Sequence, residues 1–290
     1  LYEELLGHAL AVVVRPGTPQ PEWRVQLPPS SIRCVGFDDA EALLPYGPRS
    51  FQGYRLLQEY FAFPDRFLFV DFTGLGEAMR RCTEAELDVC VLLDQSGLLE
   101  EDAFDASYFA LHCTPAVNLF PKRADRIHLG TRDHEYHLVP DRTRPLDYEV
   151  FSVQEVVGIG ARGDSEQVFQ PFYSTRDLTG GPGQRAFYSQ QREPRVASDQ
   201  QQTRGARSSY IGSELFLSLV DADASPHRHA LRQLAVSILC TNRDLPLHLS
   251  LGKGNTDFTL EISAPVASIR CVAGPTKPRP SFPKGDSAWR

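Results

Sequence analysis

Histidine and carboxylate side chains are concentrated between residues 128 and 137, where they could act as metal ligands. His134 and His137 lie with Asp133 and Glu135 inside this stretch. The surrounding residues are typical of a β-strand, and in a strand the side chains at positions i and i+3 point to opposite faces. A chelating pair on one strand needs the spacing i, i+2, so the sequence favours solvated histidines here over a metal site. A metal- or ligand-binding β-rich enzyme that uses His134, His137 and the nearby acids is the alternative function.

A second candidate is the Gly-x-Gly-x-x-Gly pattern at Gly158, Gly160 and Gly163, which has the letter spacing of a dinucleotide-binding turn. Such a turn needs a helix directly after it, because the amides at the helix N-terminus bind the pyrophosphate. The residues that follow show no amphipathic pattern, and Pro171 prevents a helix from developing there. We therefore interpret Gly158-Ile159-Gly160 as a hairpin turn.

The composition is that of a folded protein with one large or two ordinary domains. The chain has 290 residues, of which 41% are hydrophobic and 23% charged, and its formal net charge is −7. A protein that grips nucleic acid needs concentrated cationic surface, so this balance argues against that class. The apolar runs are far too short to cross a bilayer. The 6 cysteines form no Cys-x-x-Cys pair, which favours free thiols and a reducing compartment.

The first 120 residues carry mixed helix and strand patterns. Apolar residues recur at steps of three and four from Phe51 to Phe61, which predicts a helix capped by Ser50 and ended by Pro64. The run at 67–72 is apolar on both faces, which predicts a central strand. A further helix is predicted at 76–82, and further strands at 11–15, 23–27 and 87–93.

From about residue 107 the segments become short and often alternating, which is typical of antiparallel β-structure. Strands are predicted at 108–112, 116–120, 134–139, 148–159, 168–173, 186–189, 209–220, 247–251 and 258–262. Residues 229–240 fit a helix or a strand. Residues 190–208 are polar and are expected to form a flexible loop between two strands of a hairpin.

These patterns predict a β-rich α+β fold with two parts. The first is a mixed α/β lobe at 1–120, and the second is a mainly antiparallel, sandwich-like β lobe at 121–290. A hinge is expected near 121–146, where prolines cluster with polar residues. The proline-rich run at 275–283 is interpreted as a rigid connector, with docking into an aromatic groove as the alternative.

Several longer strings are more specific than composition. The strongest are GYRLLQEYFAFP at 53–64 and CTNRDLP at 240–246, and others are TPAVNLF at 114–120, YHLVPD at 136–141 and IRCVAGPTKP at 269–278. Together they resemble the TssF family (also called VasA or ImpG), a baseplate subunit of the bacterial type VI secretion system. The strings follow family order over the whole chain, and family chains extend further on both sides. The sequence therefore looks like a central fragment.

The resemblance implies a structural subunit of the baseplate wedge, which acts as an assembly scaffold without catalysis, cofactor or metal. The partners it implies are TssG, TssK and a second TssF copy, with sheath-initiating and spike components of the baseplate. Neither nucleic acid nor direct membrane insertion is expected. The location it implies is the cytoplasm, at the inner face of the bacterial cytoplasmic membrane.

Two of the family-like strings contain the candidate structural or interface residues. The first string places Tyr54, Arg55 and Tyr60 on the predicted helix. The second contains Asn242, Arg243 and Asp244 directly before Leu-Pro. In this triplet an Asp can stabilise a turn, and a guanidinium can bond to carbonyls or to a carboxylate. We favour a fold-stabilising role over an interface for the triplet, so Arg243→Ala is expected to lower solubility or melting temperature.

Overall fold

The computed structural model of the chain describes residues 1–47, 50–94, 105–130, 133–161, 166–172, 186–196, 207–221 and 231–279. The chain divides into two compact units, Leu1–Val117 and Asn118–Arg290. That the lobes 1–120 and 121–290 are independent domains stays a prediction. The expected β-rich α+β class is confirmed by the order of the helices and strands.

The first unit combines short helices with short strands. Its helices are Tyr2–Gly7 (α1), Gln52–Ala62 (α2) and Gly76–Arg81 (α3). Its strands are Ala9–Pro16 (β1), Val25–Leu27 (β2), Ile32–Cys34 (β3), Val70–Phe72 (β4) and Leu87–Leu93 (β5). One antiparallel sheet has the order β2-β1-β5, and β3 pairs with β4. Val12 and Val14 are fully buried in the core because alternate side chains of β1 share one face. In the described part of the chain, no helix is long and apolar enough to cross a bilayer.

The helix predicted between Phe51 and Phe61 is confirmed as α2, but Ser50 does not cap it. Phe51 occupies the N-cap position, and its side chain makes no hydrogen bond to the first turn. The amide of Tyr54 bonds to the backbone carbonyl of Phe51 at 3.0 Å. Backbone contacts therefore fix the start of α2, and the interpretation of Ser50 as a cap is wrong.

The central strand predicted at 67–72 is wrong, because β4 covers only the final 3 residues of that run. Pro64 begins a 3₁₀ turn of 5 residues, and Phe67 is buried within it. This turn brings the Nε atom of Arg66 to 2.6 Å from the carboxylate of Glu59. The apolar run therefore forms a turn around a buried ion pair. The contact between Arg66 and Glu59 leaves no trace in the pattern of apolar residues.

The second unit contains one eight-stranded sheet. Its strands are Phe120–Arg123 (β6), Ile127–His128 (β7), Tyr136–Leu138 (β8), Glu149–Gly160 (β9), Glu166–Pro171 (β10), Ala186–Pro194 (β11), Ser213–Asp221 (β12) and Leu231–Thr241 (β13). The strand order is β6-β13-β9-β10-β11-β12-β8, and β7 also pairs with β13. The β10–β11 pair is parallel and the other pairs are antiparallel. The amide of Asp125, beside β7, bonds to the carbonyl of Val139, beside β8, at 3.0 Å. This bond connects the two ends of the strand order, so the predicted sandwich-like lobe is a single sheet that curls around one core.

Strand β13 decides between the two interpretations of residues 229–240. From Leu231 onward these residues are a strand, so the helical alternative is wrong there. Leu234, Val236, Ile238 and Cys240 are almost completely buried, at every second position. Alternate side chains of a strand point to the same face, so this series lines the core between β6 and β9.

The interpretation of Gly158-Ile159-Gly160 as a turn is wrong, because these residues are the last part of β9. Gly158 pairs with Gln167 of β10 and with Leu234 of β13. A Cβ atom at Gly158 would lie 2.7 Å from the side chain of Leu231 and 2.9 Å from that of Phe169. The glycine is therefore required by close packing inside the sheet, which a strand interior can also demand.

The other predictions from residue 107 onward had mixed outcomes. The predicted strands at 108–112, 247–251 and 258–262 are absent from the described residues. Turns of the 3₁₀ type lie at Ala106–Tyr108 and Leu245–His248, and Phe258 forms only an isolated bridge with Ile269. The expected hinge at 121–146 contributes β6, β7 and β8 to the sheet, so it is not a connector. The hairpin around 190–208 is confirmed as β11 and β12, but β11 continues to Pro194. Residues 197–206 of the predicted flexible loop, and 280–283 of the proline-rich run, lie outside the described residues.

Candidate functional site

A large apolar surface of the first unit lies on α2. Its N-cap and helix residues include side chains that are more than half exposed: Phe51, Tyr54, Leu57, Tyr60 and Phe61. Residues three and four apart share one side of a helix, so Tyr54, Leu57 and Phe61 form a continuous stripe. We call these five residues the α2 face. Contiguous apolar surfaces on soluble proteins commonly mark interaction sites.

The opposite side of α2 buries charge instead of apolar side chains. Arg55 and Glu59 are 3% and 2% exposed, and Nη1 of Arg55 lies 3.2 Å from Oε2 of Glu59 one helical turn away. Arg66, also 2% exposed, donates from Nε to the same carboxylate oxygen at 2.6 Å. One carboxylate therefore lies between two buried guanidinium groups, and we call these three residues the α2 ion cluster.

The α2 ion cluster also fixes the loop that precedes the helix. Arg55 donates to the backbone carbonyls of residues 36–38. Oε1 of Glu59 accepts hydrogen bonds from the amides of residues 43–44, both at 2.9 Å. Burial raises the pKa of Glu59, but the hydrogen bonds from these amides and from Arg66 outweigh it, and the pKa is lowered overall. Glu59 is thus held as a carboxylate that joins the loop to the helix.

A second polar cluster lies where β9 and β12 begin and β13 ends. Glu149 is 8% exposed and accepts hydrogen bonds from the amide and hydroxyl of Ser213, at 2.9 and 2.5 Å, and from the hydroxyl of Tyr210 at 2.6 Å. Burial and the hydrogen bond to Glu149 raise the pKa of Tyr210, so the phenol remains a donor. The guanidinium of Arg243 lies 5.5 Å from the centre of the Tyr210 ring and donates to the carbonyl of Ile211 at 2.9 Å.

Gly212 is required for this packing. Its φ angle is +74°, a conformation that glycine adopts at little cost. A Cβ atom at this position would lie 3.1 Å from the guanidinium carbon of Arg243 and 3.1 Å from Oε2 of Glu149. The backbone therefore passes directly between the two charged groups, and a larger residue would force them to move.

Asp244 is the centre of an adjacent ion pair. Arg207 donates to its Oδ1 atom from Nε at 3.2 Å and from Nη2 at 2.5 Å, and the Ser208 hydroxyl donates to Oδ2 at 2.6 Å. Arg207 also donates from Nη1 to the carboxylate of Asp147 at 2.7 Å. Burial opposes the charge of Asp244, but the hydrogen bonds from Arg207 and Ser208 lower its pKa to about 2. This carboxylate anchors the segment before β12 to the turn after β13.

Asn242 completes the predicted triplet. Its amide donates to Oδ1 of Asn118 at 2.6 Å, and the side-chain nitrogen of Asn118 donates back to Oδ1 of Asn242 at 3.1 Å. The side-chain nitrogen of Asn242 also donates to the carbonyl of Asp147 at 3.3 Å. All three residues of the triplet therefore bond to other segments of the second unit, as a fold-stabilising role requires.

The lowered pKa of Asp244 predicts a specific loss of stability in acid. The folded pKa of about 2 lies below the ordinary value of 3.8, so the stabilisation is complete above the ordinary value and is lost as the pH falls through the folded one. In full it amounts to about 2 kcal/mol, and about half is lost by pH 3. Urea unfolding at pH 6 and pH 3 should therefore show a smaller drop in the free energy of unfolding for Asp244→Asn than for the native chain.

The matched control is Glu155→Gln, which removes an exposed carboxylate from β9. In this variant, the free energy of unfolding should drop between pH 6 and pH 3 by as much as in the native chain. An Asp244→Asn variant that loses as much stability between pH 6 and pH 3 as the native chain would contradict the role assigned to this carboxylate.

The histidines do not form a metal site in the described part of the chain. His137 stacks on Phe216 with ring centroids 4.9 Å apart, and its Nε2 atom lies 3.9 Å from the carboxylate of Glu214. His134 is exposed and precedes β8. Among the described residues, no group of three or more His, Cys, Asp or Glu side chains could hold a metal ion. The described residues therefore give no structural support to the alternative function, a metal- or ligand-binding enzyme.

The structure divides the three candidate residues of the helix between two roles. Tyr54 and Tyr60 belong to the exposed α2 face, whereas Arg55 is buried in the α2 ion cluster. Sequence reasoning missed Glu59, although its i, i+4 spacing from Arg55 is a recognised signal for an ion pair on a helix. It also missed Glu149, for which no local signal exists, because its partners at 210–213 are distant in the sequence.

Comparison with known proteins assigns the chain to a family. Its sequence matches the family described as Type VI secretion system, TssF over residues 1–290. The chain belongs to the TssF family. The resemblance inferred from the sequence strings is thereby confirmed.

Two relatives extend this assignment. The chain is 54% identical over 290 residues to the type VI secretion system component TssF1 of Pseudomonas aeruginosa, with 100% of this chain and 46% of that protein aligned. It is also similar to a solved cryo-electron microscopy structure of the type VI secretion system TssK-TssF-TssG baseplate subcomplex. That match has a TM-score of 0.56 and 25% identity, and covers 83% of this chain and 40% of that chain. This TssF family chain therefore spans less than half the length of either relative.

Proposed function

We propose that this TssF family chain is part of a structural subunit of the type VI secretion baseplate wedge and acts as an assembly scaffold without catalysis. The observation that carries the proposal is the exposed α2 face above the buried α2 ion cluster. Aromatic side chains are enriched among the residues that dominate binding energy at protein interfaces. A rigid support lowers the entropy cost of binding, because less of the surface has to be ordered when the partner arrives.

The proposed partners are TssG and TssK, and the similarity to a TssK-TssF-TssG baseplate subcomplex supports both. A second TssF copy and the sheath-initiating and spike components of the baseplate complete the proposed set. We place the assembly in the cytoplasm, at the inner face of the cytoplasmic membrane, without insertion into the bilayer. No cofactor, metal or nucleic acid is part of this proposal.

A charge placed on the α2 face should break the assembly while leaving the fold intact. Leu57 is 57% exposed, so Leu57→Asp should cost little stability in the free protein. At an interface the same carboxylate would be buried without a partner, which is costly. In the full-length protein co-expressed with TssG and TssK, we expect the affinity for these partners to fall at least tenfold, which corresponds to about 1.4 kcal/mol. Co-purification followed by native mass spectrometry measures this change.

The matched control is Met79→Asp, at an apolar residue of α3 that is 64% exposed. This variant should retain the native stoichiometry. Circular dichroism and thermal melting of both variants separate a loss of binding from a loss of fold. A Leu57→Asp protein that assembles with native affinity would refute the α2 face as the contact that carries the function.

A further inference from the structure

A groove lies between the start of α2 and the loop that precedes it. The residues that line it include Tyr46, Phe51 and Tyr54, with Pro45 in its wall. The rings of Phe51 and Tyr54 meet edge to face with their centroids 5.7 Å apart. The guanidinium of Arg55 lies 5.8 Å from the centre of the Tyr46 ring. The groove therefore presents several aromatic rings close together.

Both walls of this aromatic groove are fixed from beneath. The loop wall is held through the hydrogen bonds from the amides of residues 43–44 to Glu59. In the helix wall, the ring of Phe51 folds over Gly53, where a Cβ atom would collide with the ring. Glycine at this position is therefore what allows Phe51 to lie against the first turn of α2. A groove with walls held in this way needs little rearrangement to accept a ligand.

One acidic side chain lies beside the aromatic groove. Asp39 is exposed, and its carboxylate lies beside the hydroxyl of Tyr46, a residue that lines the groove. The positive charge of Arg55 is directed instead to the buried carboxylate of Glu59 and to backbone carbonyls. A ligand that combines an apolar, extended backbone with Lys or Arg side chains is therefore complementary to this surface.

The chain itself contains a segment with this chemistry. Pro275 and Pro278 have the spacing i, i+3, and Lys277 and Arg279 lie beside them. Residues 275–279 lie outside any helix or strand, with the two prolines half-exposed and the two cations exposed. In a polyproline II helix, residues three apart lie on the same side. Such segments bind in grooves lined by aromatic side chains and lose little entropy when they do so.

We propose that the aromatic groove binds the Pro275–Arg279 segment of a second copy of this chain. Each copy carries both the groove and the segment, so two copies can exchange them reciprocally and close a symmetric pair. The prolines pack on Tyr46, Phe51 and Tyr54, and the cations lie near Asp39. The inference rests on the proposed assembly role, because it names the surface and the chemistry by which one partner is recognised.

A synthetic peptide tests the recognition directly. Fluorescence anisotropy with a labelled peptide of residues 274–280 and the full-length protein should show saturable binding that weakens as salt is added. Tyr46→Ala should reduce the affinity at least tenfold, whereas the control Leu57→Ala, outside the groove, should leave it unchanged. A peptide with alanine at Pro275 and Pro278 should fail to bind. Equal binding of the two peptides, or native affinity of the Tyr46→Ala protein, would overturn the proposal.

The source of the segment is tested in the intact protein. Sedimentation velocity over a range of protein concentrations should show self-association that the added peptide suppresses. Pro278→Ala should reduce the association constant at least tenfold. A protein that remains monomeric at concentrations where the peptide saturates it would overturn the assignment to a second copy. These measurements use neither TssG nor TssK, and Leu57→Asp tests only binding to those partners. Failure of this inference and failure of the proposed function are therefore distinguishable.

Discussion

Glu59→Ala is expected to lower the free energy of unfolding of the first unit by about 3–5 kcal/mol. The side chain is 1% exposed and is the carboxylate in the ion pairs of both Arg55 and Arg66. Its removal leaves two guanidinium groups buried without a counter-charge, and an unpaired buried charge is far more costly than a buried pair. The amides of residues 43–44 lose their acceptor as well.

Urea unfolding followed by Trp23 fluorescence measures this loss, because Trp23 packs against the core of the first unit. The measurement uses the 290-residue chain, with Trp289 replaced by Phe in the native and variant proteins, so that the signal comes from Trp23. Gln58→Ala, at the exposed neighbouring position, is the control and should change the stability by less than about 0.5 kcal/mol. Glu59→Gln should also be strongly destabilised, since it keeps the volume but removes the charge. Near-native stability of both Glu59 variants would refute the role of the α2 ion cluster.

Arg243→Ala is expected to destabilise the second unit by about 3 kcal/mol, through loss of a buried hydrogen bond, a cation–π contact and side-chain packing. The guanidinium donates to the carbonyl of Ile211, covers the ring of Tyr210 and lies close to the buried carboxylate of Glu149. Without it, the carbonyl of Ile211 loses this donor and Glu149 loses a nearby positive charge. Urea unfolding followed by circular dichroism of the sheet measures the effect.

The backbone of Arg243 provides an internal control. Its φ angle is +55°, in the left-handed region that favours glycine. Alanine has the same backbone cost as arginine here, so Arg243→Ala isolates the side-chain contacts, whereas Arg243→Gly should be about 1 kcal/mol more stable than Arg243→Ala. Unchanged stability of Arg243→Ala together with lost binding to TssG or TssK would show that Arg243 acts at an interface instead of within the fold.

The same two clusters show how far sequence reasoning reached. The periodicity from Phe51 to Phe61 correctly predicted α2, because apolar spacing reports helical geometry directly. It did not reveal that this apolar stripe faces outward, since amphipathic spacing is the same whichever side is buried. The inward side of α2 is charged, and such an arrangement is possible only because Glu59 meets Arg66 from a turn later in the chain.

In the second unit, the resemblance to the TssF family pointed to the Asn242-Arg243-Asp244 triplet. Asn242 and Arg243 donate hydrogen bonds to other segments and Asp244 accepts them, which supports the fold-stabilising interpretation. The acceptor at the centre of the neighbouring cluster, Glu149, was not predicted. Tyr210 and Ser213, the residues that bond to Glu149, lie 61 and 64 positions further along the sequence. Contacts of this kind are set by which strands lie side by side, and the order of strands is not encoded in any short window.

The sequence by itself determined the family, the β-rich α+β class and the positions of the strongly periodic elements, because local spacing and long specific strings carry that information. Only the tertiary structure decided that Gly158 lies inside a strand, that the α2 face is exposed, and that Glu59 and Glu149 are buried. The physical reason is that burial of a charge or exposure of an apolar stripe depends on partners contributed by distant segments. Those partners meet only when the chain has folded.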